Sequence, residues 1–331
     1  MKQRVAIARA PEPDDSLYEP QMPEVIQLAE RRPEHAPFEH WWIGSYSALA
    51  IGTEAPETSL FEQLTEDERG GRFTPLRPGD TPTIHRFPRG PQPGTFIHGL
   101  LEAAATDGFA RLMDPQRCRD WLYARCQRRG WGEWAESLAG WLASVLARPG
   151  LVPDSEVSLA ALAPRQYQSE MEFMFSANSV DVLAVDQLVC AATLEGRARP
   201  PLQRDRLNGL FKGFIDLVFE HQGRYYVLDY KSNWLGQDSS DYSAEAMQRA
   251  VLEHRYDLQY VFYLLALHRQ LRARLPGYDY DRHIGGALYW FVRGVDGPGG
   301  GLWHSRPPRD LIETLDRLFT GQPARETDHA G

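Results

Sequence analysis

The sequence predicts a protein of the α/β or α+β class, with a β-hairpin near its centre and helices before and after it. Three observations predict this. The stretch "GFIDLVFEHQGRYYVLDYKSNW", residues 213 to 234, has apolar and β-branched runs on either side of a polar "HQGR" turn, the pattern of a hairpin. In "WAESLAGWLASVLARPG" the residues Trp134, Leu138, Trp141, Leu142 and Val145 recur at helical spacing. Beyond residue 151, helix-like and strand-like segments are mixed.

Residues 1 to 38 are rich in Pro, Glu and Asp, lack sustained periodicity, and read as a linker or extended arm. "WWIGSYSALA" (41 to 50) is compact and aromatic, an anchoring segment, and "RPGDTPTIHRFPRGPQPG" (77 to 94) is a polar loop. "GTFIHGLLEAAATDGF" reads as a helix entered through Gly94 and Thr95, and the Trp134 helix stops at Pro149-Gly150. The tryptophans at that spacing are core residues rather than stacking platforms. Then come a strand at "SEMEFMFSA", the hairpin, one long helix at "SAEAMQRAVLEHRYDLQYVFYLLALHRQLRARL", and strands at "GGALYWFVRGV" and "GGLWHSRP". The chain therefore divides into an arm (1–38), a helical N-terminal part carrying His98 (39–150), a core (151–320) and a flexible tail (321–331). There is no internal repeat and no G-x-x-x-x-G-K-[ST], which excludes a recognisable nucleotide-driven motor.

A chain of 331 residues can bury a substantial core as one large domain or two smaller ones. Its 24% charged and 42% hydrophobic residues are ordinary for a soluble globular protein. No apolar run approaches a membrane span and "MKQRVAIARAPEPDD" lacks a signal-peptide core, so the expected location is the cytoplasm. Cys118, Cys126 and Cys190 are odd in number and lack C-x-x-C spacing, so they are read as isolated reduced thiols. A net charge of −9 argues against a protein that coats nucleic acid by bulk electrostatics, though not against an enzyme acting on it. "RRGWGEW" and "GRARPPLQRDR" read as solvated faces that could supply local positive surface.

The hairpin also carries the chemistry. With Gln222 and Gly223 as the turn residues, Asp216 falls directly opposite Asp229, and Lys231 shares the face of Asp229 while Tyr226, Leu228 and Tyr230 take the other. Two like charges facing each other destabilise a sheet, so a positive group belongs between them; a hard divalent cation with oxygen ligands is the simplest candidate. Aspartates facing water would produce the same pattern, and a bare Asp…Asp-x-Lys arises easily by chance. Lysine usage tips the balance. Of 36 Lys plus Arg, the lysines are only Lys2, Lys212 and Lys231, so Lys231 stands where arginine's planar fork would not serve as a compact charge. Glu170 and Glu172 share a face of "SEMEF"; Gln259 and Tyr263 point the same way from the long helix, with Arg255 on the preceding turn; His98 on the early helix could be a nitrogen ligand.

The order Glu…Asp…(Asp/Glu)-x-Lys, then a helix with Gln-x-x-x-Tyr, resembles the PD-(D/E)XK nucleases. "GTFIHGLLE", "EMEF", "GLFKGFIDLVFEHQGRYYVLDYKSNWLG" and "HRYDLQYVFYLLALHRQL" are similar, more narrowly, to the RecB C-terminal nuclease-domain family of the RecBCD exonuclease, from about Trp41 to about residue 320. The resemblance implies a restriction-endonuclease-like α/β core, a central mixed sheet flanked by helices, with an N-terminal helical extension. It implies His98, Asp216, Asp229 and the backbone carbonyl of Tyr230 as metal ligands, Glu170 rather than Glu172 as the further acid, Lys231 as the catalytic lysine, and Gln259 and Tyr263 as residues of the family's helix; with Arg255 one turn earlier, these are the expected supporting or substrate-binding residues. It also implies Mg²⁺ as cofactor (Mn²⁺ able to replace it, Ca²⁺ binding without supporting turnover) and products with 5′ phosphates. DNA, as single strands and duplex ends, is the implied substrate, and RecC- and RecD-like subunits, a RecB-type helicase region and a RecA-like recombinase are the implied partners in double-strand break repair and recombination. Only the short arm precedes Trp41, so the chain is expected to be a separated domain or a truncated gene product. The alternative of a different class is a docking module for partner subunits or a recombinase, with little cleavage of its own.

Overall fold

The structure is a computed structural model that describes residues 42–44, 81–202 and 206–321. The arm at 1–38, most of "WWIGSYSALA", the start of the 77–94 loop and the tail beyond Gly321 lie outside the described residues. Those described hold β1 (Trp42–Gly44), α1 (Pro91–Asp107), α2 (Pro115–Arg128), α3 (Ala135–Ala147), β2 (Tyr167–Asp181), α4 (Val182–Ala192), β3 (Arg206–His221), β4 (Arg224–Lys231), α5 (Ala244–Glu253), α6 (Tyr256–Arg274), the single turn α7 (Tyr280–His283), β5 (Ile284–Phe291), β6 (Leu302–Ser305) and α8 (Arg309–Phe319).

The hairpin has the register its turn dictates. His221 pairs Arg224, Val218 pairs Val227 and Leu217 pairs Leu228. Gln222 (φ 52°) and Gly223 (φ 78°) are both left-handed, the geometry of a type I′ turn whose twist matches that of the strands. Around the hairpin the sheet is mixed. β2 runs antiparallel along nearly all of β3, and the other edge of β3 is shared by β1, parallel to it, and by β4. β5 lies parallel to β4 and β6 antiparallel to β5. A parallel neighbour needs a crossover, and residues 232–283, with α5 and α6, supply it.

Each face of the sheet has its own core. On one, Phe211, Ile215, Val218, Val227, Tyr289 and Phe291 pack with residues of α4, α5, α6 and α8. On the other, Leu217, Phe219, Leu228, Tyr230, Leu288 and Trp290 pack with α1, α2 and α3. Trp134 and Trp141 are core residues there, and the Trp141 indole donates to the Val292 carbonyl (2.8 Å). All three cysteines are free. No helix among the described residues is long and apolar enough to cross a membrane.

Local reading failed at five places. The single long helix expected from Ser243 to Leu275 is two, α5 and α6, divided at Arg255, which is left-handed at φ 55°. No Gly or Pro marks the break. A buried ion cluster holds it: Arg255 meets Asp186 (2.5 Å) and Asp257 (3.1 Å), and Arg199 meets Asp257 (2.8 Å). Buried charges need partners, and that requirement outweighs helix continuity here. Helices α2, α4 and α8 were not foreseen. In α2 the buried stripe is only Cys118, Leu122 and Cys126 among arginines, and its start depends on Asp114 accepting from the Arg117 amide (2.7 Å). Within "GRARPPLQRDR", Arg199 is no solvated residue; its side chain is buried against Asp257.

Candidate active site

The alternation of β3 is interrupted at Asp216. Ile215 and Leu217, two apart, should share a face, yet they sit in opposite cores. The facing strand breaks at the same level, because Glu170 is left-handed (φ 49°) while Ser169 and Met171 on either side keep their pairs with Leu217 and Ile215. Pairing irregularities of this kind re-aim side chains beside functional sites. The β3–β4 pairing ends at Leu217 and Leu228, which follow Asp216 on β3 and precede Asp229 on β4, so Glu170, Asp216 and Asp229 all lie where the regular pairing of three neighbouring strands is interrupted or stops.

Hydrogen bonds hold the arrangement. Asp216 Oδ2 accepts from the Tyr230 amide (2.8 Å) and faces His98 Nδ1, 3.4 Å away on α1. Tyr230 thus joins through its backbone, while its ring lies in the core beneath α1 to α3. Asp229 is 2% exposed. Its Oδ2 forms an ion pair with Lys231 Nζ at 2.8 Å, and its Oδ1 accepts no hydrogen bond. Lys231, also buried, donates to Gln259 Oε1 (2.9 Å). Gln259 is in turn oriented by donating to Tyr263 Oη (3.0 Å) and accepting from Tyr289 Oη (2.8 Å). The Lys231 ammonium also lies over the ring of Tyr256 (3.9 Å to its centroid) and over that of Tyr289 (5.0 Å).

Tyr256 and Tyr289 were missed from the sequence. Tyr256 was readable in principle, being one turn before Gln259 on the same helix. Tyr289 was not, because only the parallel pairing of β4 with β5 sets it beside Asp229. Two residues singled out from the sequence stand elsewhere. The Glu172 carboxylate is paired with Lys212 (2.7 Å) on the exposed side of the ribbon. Arg255 offers nothing to a substrate, since its guanidinium is buried in the cluster that divides α5 from α6.

The crowding of acids shows in their protonation. Burial lifts Asp229 from 3.8 to about 6; Lys231 pulls it back only in part, and Asp216 adds to the rise. Glu170 is lifted from 4.5 to about 7, first by burial and then by Asp216 and Glu102. Burial disfavours a charged His98, but the charge and hydrogen bond of Asp216, with Asp229 behind it, outweigh burial and raise its pKa. Among the described residues no three His, Cys, Asp or Glu side chains close around one point. His98 and the Tyr230 amide are both turned on Asp216, and Lys231 on Asp229. The chemistry nevertheless suits a hard cation: the buried Asp229 Oδ1 lacks a donor, and the charge of Asp216 helps to hold back the ionisation of both Glu170 and Asp229.

Three acids from adjacent strands, with a buried lysine two residues after the last of them, define a nuclease class. Residues 75–327 match the PD-(D/E)XK nuclease superfamily, and the chain belongs to it. Within that class its curated relatives are similar to one particular protein. It is 40% identical over 297 residues to the RecBCD enzyme subunit RecB of Escherichia coli strain K12, covering 88% of this chain and 24% of that one. The identity is 37% over 238 residues to RecB of Haemophilus influenzae (70% and 19%) and 30% over 320 residues to RecB of Mycobacterium tuberculosis strain H37Rv (84% and 28%). The chain spans about a quarter of the length of these relatives.

Proposed function

We propose that this chain is a Mg²⁺-dependent deoxyribonuclease that hydrolyses phosphodiester bonds in single-stranded DNA and at duplex ends, as the nuclease part of a RecBCD-type helicase–nuclease in double-strand break repair and recombination. RecC- and RecD-like subunits, a RecB-type helicase region and a RecA-like recombinase are its proposed partners, on the strength of its similarity to RecB. One observation supports the chemistry: a buried Lys231, held by Gln259, lies 2.8 Å from the buried Asp229, while Asp216 accepts from the Tyr230 amide between those two residues.

Asp216, Asp229, His98 and the Tyr230 carbonyl would hold the ion, which when bound polarises water and the phosphoryl oxygen and offsets the charge of the acids. The chain's own residues do the rest. Tyr263 and Tyr289 fix the Gln259 amide, and Gln259 with the Tyr256 ring holds the Lys231 ammonium, so that a compact positive charge is preorganised where negative charge builds on the phosphorus oxygens. Glu170, with its carboxyl raised to about 7, is suited to take and return a proton near neutral pH.

End-labelled single-stranded and duplex DNA should be shortened by the purified chain in Mg²⁺ or Mn²⁺ and survive in chelator. In Ca²⁺ it should be bound without being cut, because the larger, looser coordination shell misplaces the attacking water. Equal rates in Ca²⁺ and Mg²⁺ would sink this geometry, and binding without cutting in every metal would leave a docking module.

For His98→Ala, the Mg²⁺ concentration for half-maximal cleavage should rise, and high metal should partly restore the rate. In the wild type, metal affinity should weaken as pH falls, because the imidazole takes up a proton that Asp216 helps it hold. The variant should lose that part of the pH dependence. An unchanged Mg²⁺ requirement with a lowered melting temperature would assign His98 to packing.

A further inference from the structure

The chain is acidic overall, with a net charge of −9. Many arginines of its core are each tied to a carboxylate: Arg199 to Asp257, Arg255 to Asp186, Arg272 to Asp316 and Arg309 to Asp279. One region departs from this. A groove of about 930 Å³ beside the hairpin tip is lined by Arg165, Arg224, Arg274 and Arg282, with Glu220 as its only carboxylate. Glu220 accepts only from the uncharged Gly223 amide (2.6 Å), so the groove keeps one negative charge against four positive ones. Arg224 donates to the carbonyls of Asp281 and Ile284, which leave its charge uncompensated. Arg165, Arg274 and Arg282 are exposed, and no hydrogen bond or ion pair to another described residue ties down their guanidinium groups.

The floor is of a different character. Met171, Val218, Leu267 and Leu271 supply apolar surface, and Gln168, Gln270 and the half-buried Tyr225 stand among the arginines. Unpaired cations around an apolar floor with an aromatic ring and amides are what a single strand needs: cations for its phosphates, flat and apolar surface for its bases, amides for base edges. At one end of the groove Met171 pairs with Ile215, the residue before Asp216, while the arginines stand toward the hairpin tip, so the groove leads from the level of the acids along the sheet to the tip.

We propose that this groove seats the single strand of DNA that flanks the scissile phosphate, with Arg165, Arg274 and Arg282 on its phosphates. The proposal rests on the nuclease reading for the identity of the strand. An acidic protein segment would satisfy the arginines but would leave the floor and the amides unused.

The test compares the wild type with Arg165→Gln/Arg274→Gln/Arg282→Gln and with a control of equal charge change on the exposed face of α2 and just beyond it, Arg117→Gln/Arg128→Gln/Arg129→Gln. Fluorescence anisotropy in chelator reads the binding of labelled oligonucleotides of about four and about sixteen nucleotides, which bracket the usual site sizes. The wild type and the control should favour the longer strand. The groove variant should lose at least about tenfold in affinity for it, and its salt dependence should become shallower by about two units of slope, as expected for three phosphate contacts on a single strand. Melting temperatures of all three proteins should agree. Equal affinity and slope in the groove variant, an equal loss in the control, or competition by poly-glutamate as strong as by DNA would each overturn the proposal. A wild type that binds the long strand through the groove yet cuts no DNA in Mg²⁺ or Mn²⁺ would overturn the nuclease reading alone.

Discussion

Replacing Asp229 by alanine is expected to reduce Mg²⁺-dependent cleavage by at least about a hundredfold while the metal-free melting temperature holds or rises. Loss of a partner that merely orients a metal ligand costs about ten- to a hundredfold, so loss of a ligand should cost no less. The stability half follows from protonation. Asp229 is lifted to about 6 even with Lys231 at 2.8 Å, so the fold as a whole, that lysine included, disfavours the ionised carboxylate. Removing it relieves that cost above pH 6. Lys231 keeps the Gln259 carbonyl and the Tyr256 ring when its carboxylate neighbour is gone. The isosteric Asp229→Asn controls for lost packing.

The pH dependence has a definite sign. Asp229, raised from 3.8 to about 6, and Glu170, raised from 4.5 to about 7, bind protons more tightly folded than unfolded, and so does His98. Their contribution is fully present below the unfolded pKa values and is lost as pH rises through the folded ones. The part of the metal-free stability that these three groups supply should therefore fall between about pH 5 and pH 8, against the opposite contribution of His268, which burial holds down at about 4, so the comparison with Asp229→Ala isolates it. In Asp229→Ala the fall should be shallower. A large drop in melting temperature with residual cleavage in Asp229→Ala would make Asp229 a structural residue.

The second large effect concerns Lys231. Lys231→Arg keeps the charge, yet the rate should fall at least about tenfold, or about 1.4 kcal/mol of transition-state stabilisation, with metal affinity little changed. The ammonium fills a small space between Asp229, the Gln259 carbonyl and the rings of Tyr256 and Tyr289, and it is buried. A planar guanidinium cannot occupy that space without displacing one of the four. Single-turnover kinetics at saturating Mg²⁺ separates this loss from weakened binding. Cleavage by the arginine variant close to that of the wild type would mean that Lys231 acts as bulk positive charge.

What the sequence determined by itself was local or periodic. The hairpin register follows from one turn, because Gln222 and Gly223 accept left-handed backbone and every pair after them is set by counting, down to Leu217 facing Leu228. The four-residue spacing of Gln259 and Tyr263 sufficed to put them on one helical face, and they are joined there by a hydrogen bond. Tertiary structure decided what depends on partners distant in the chain. His98 reaches Asp216 only because α1 packs over the sheet, and Tyr289 reaches Gln259 only because β5 lies parallel to β4 across a crossover of some fifty residues. The division of one expected helix at Arg255 has the same origin. Asp186, on another helix, holds the guanidinium that turns the backbone left-handed, and a buried charge follows its partner rather than the periodicity of its own segment.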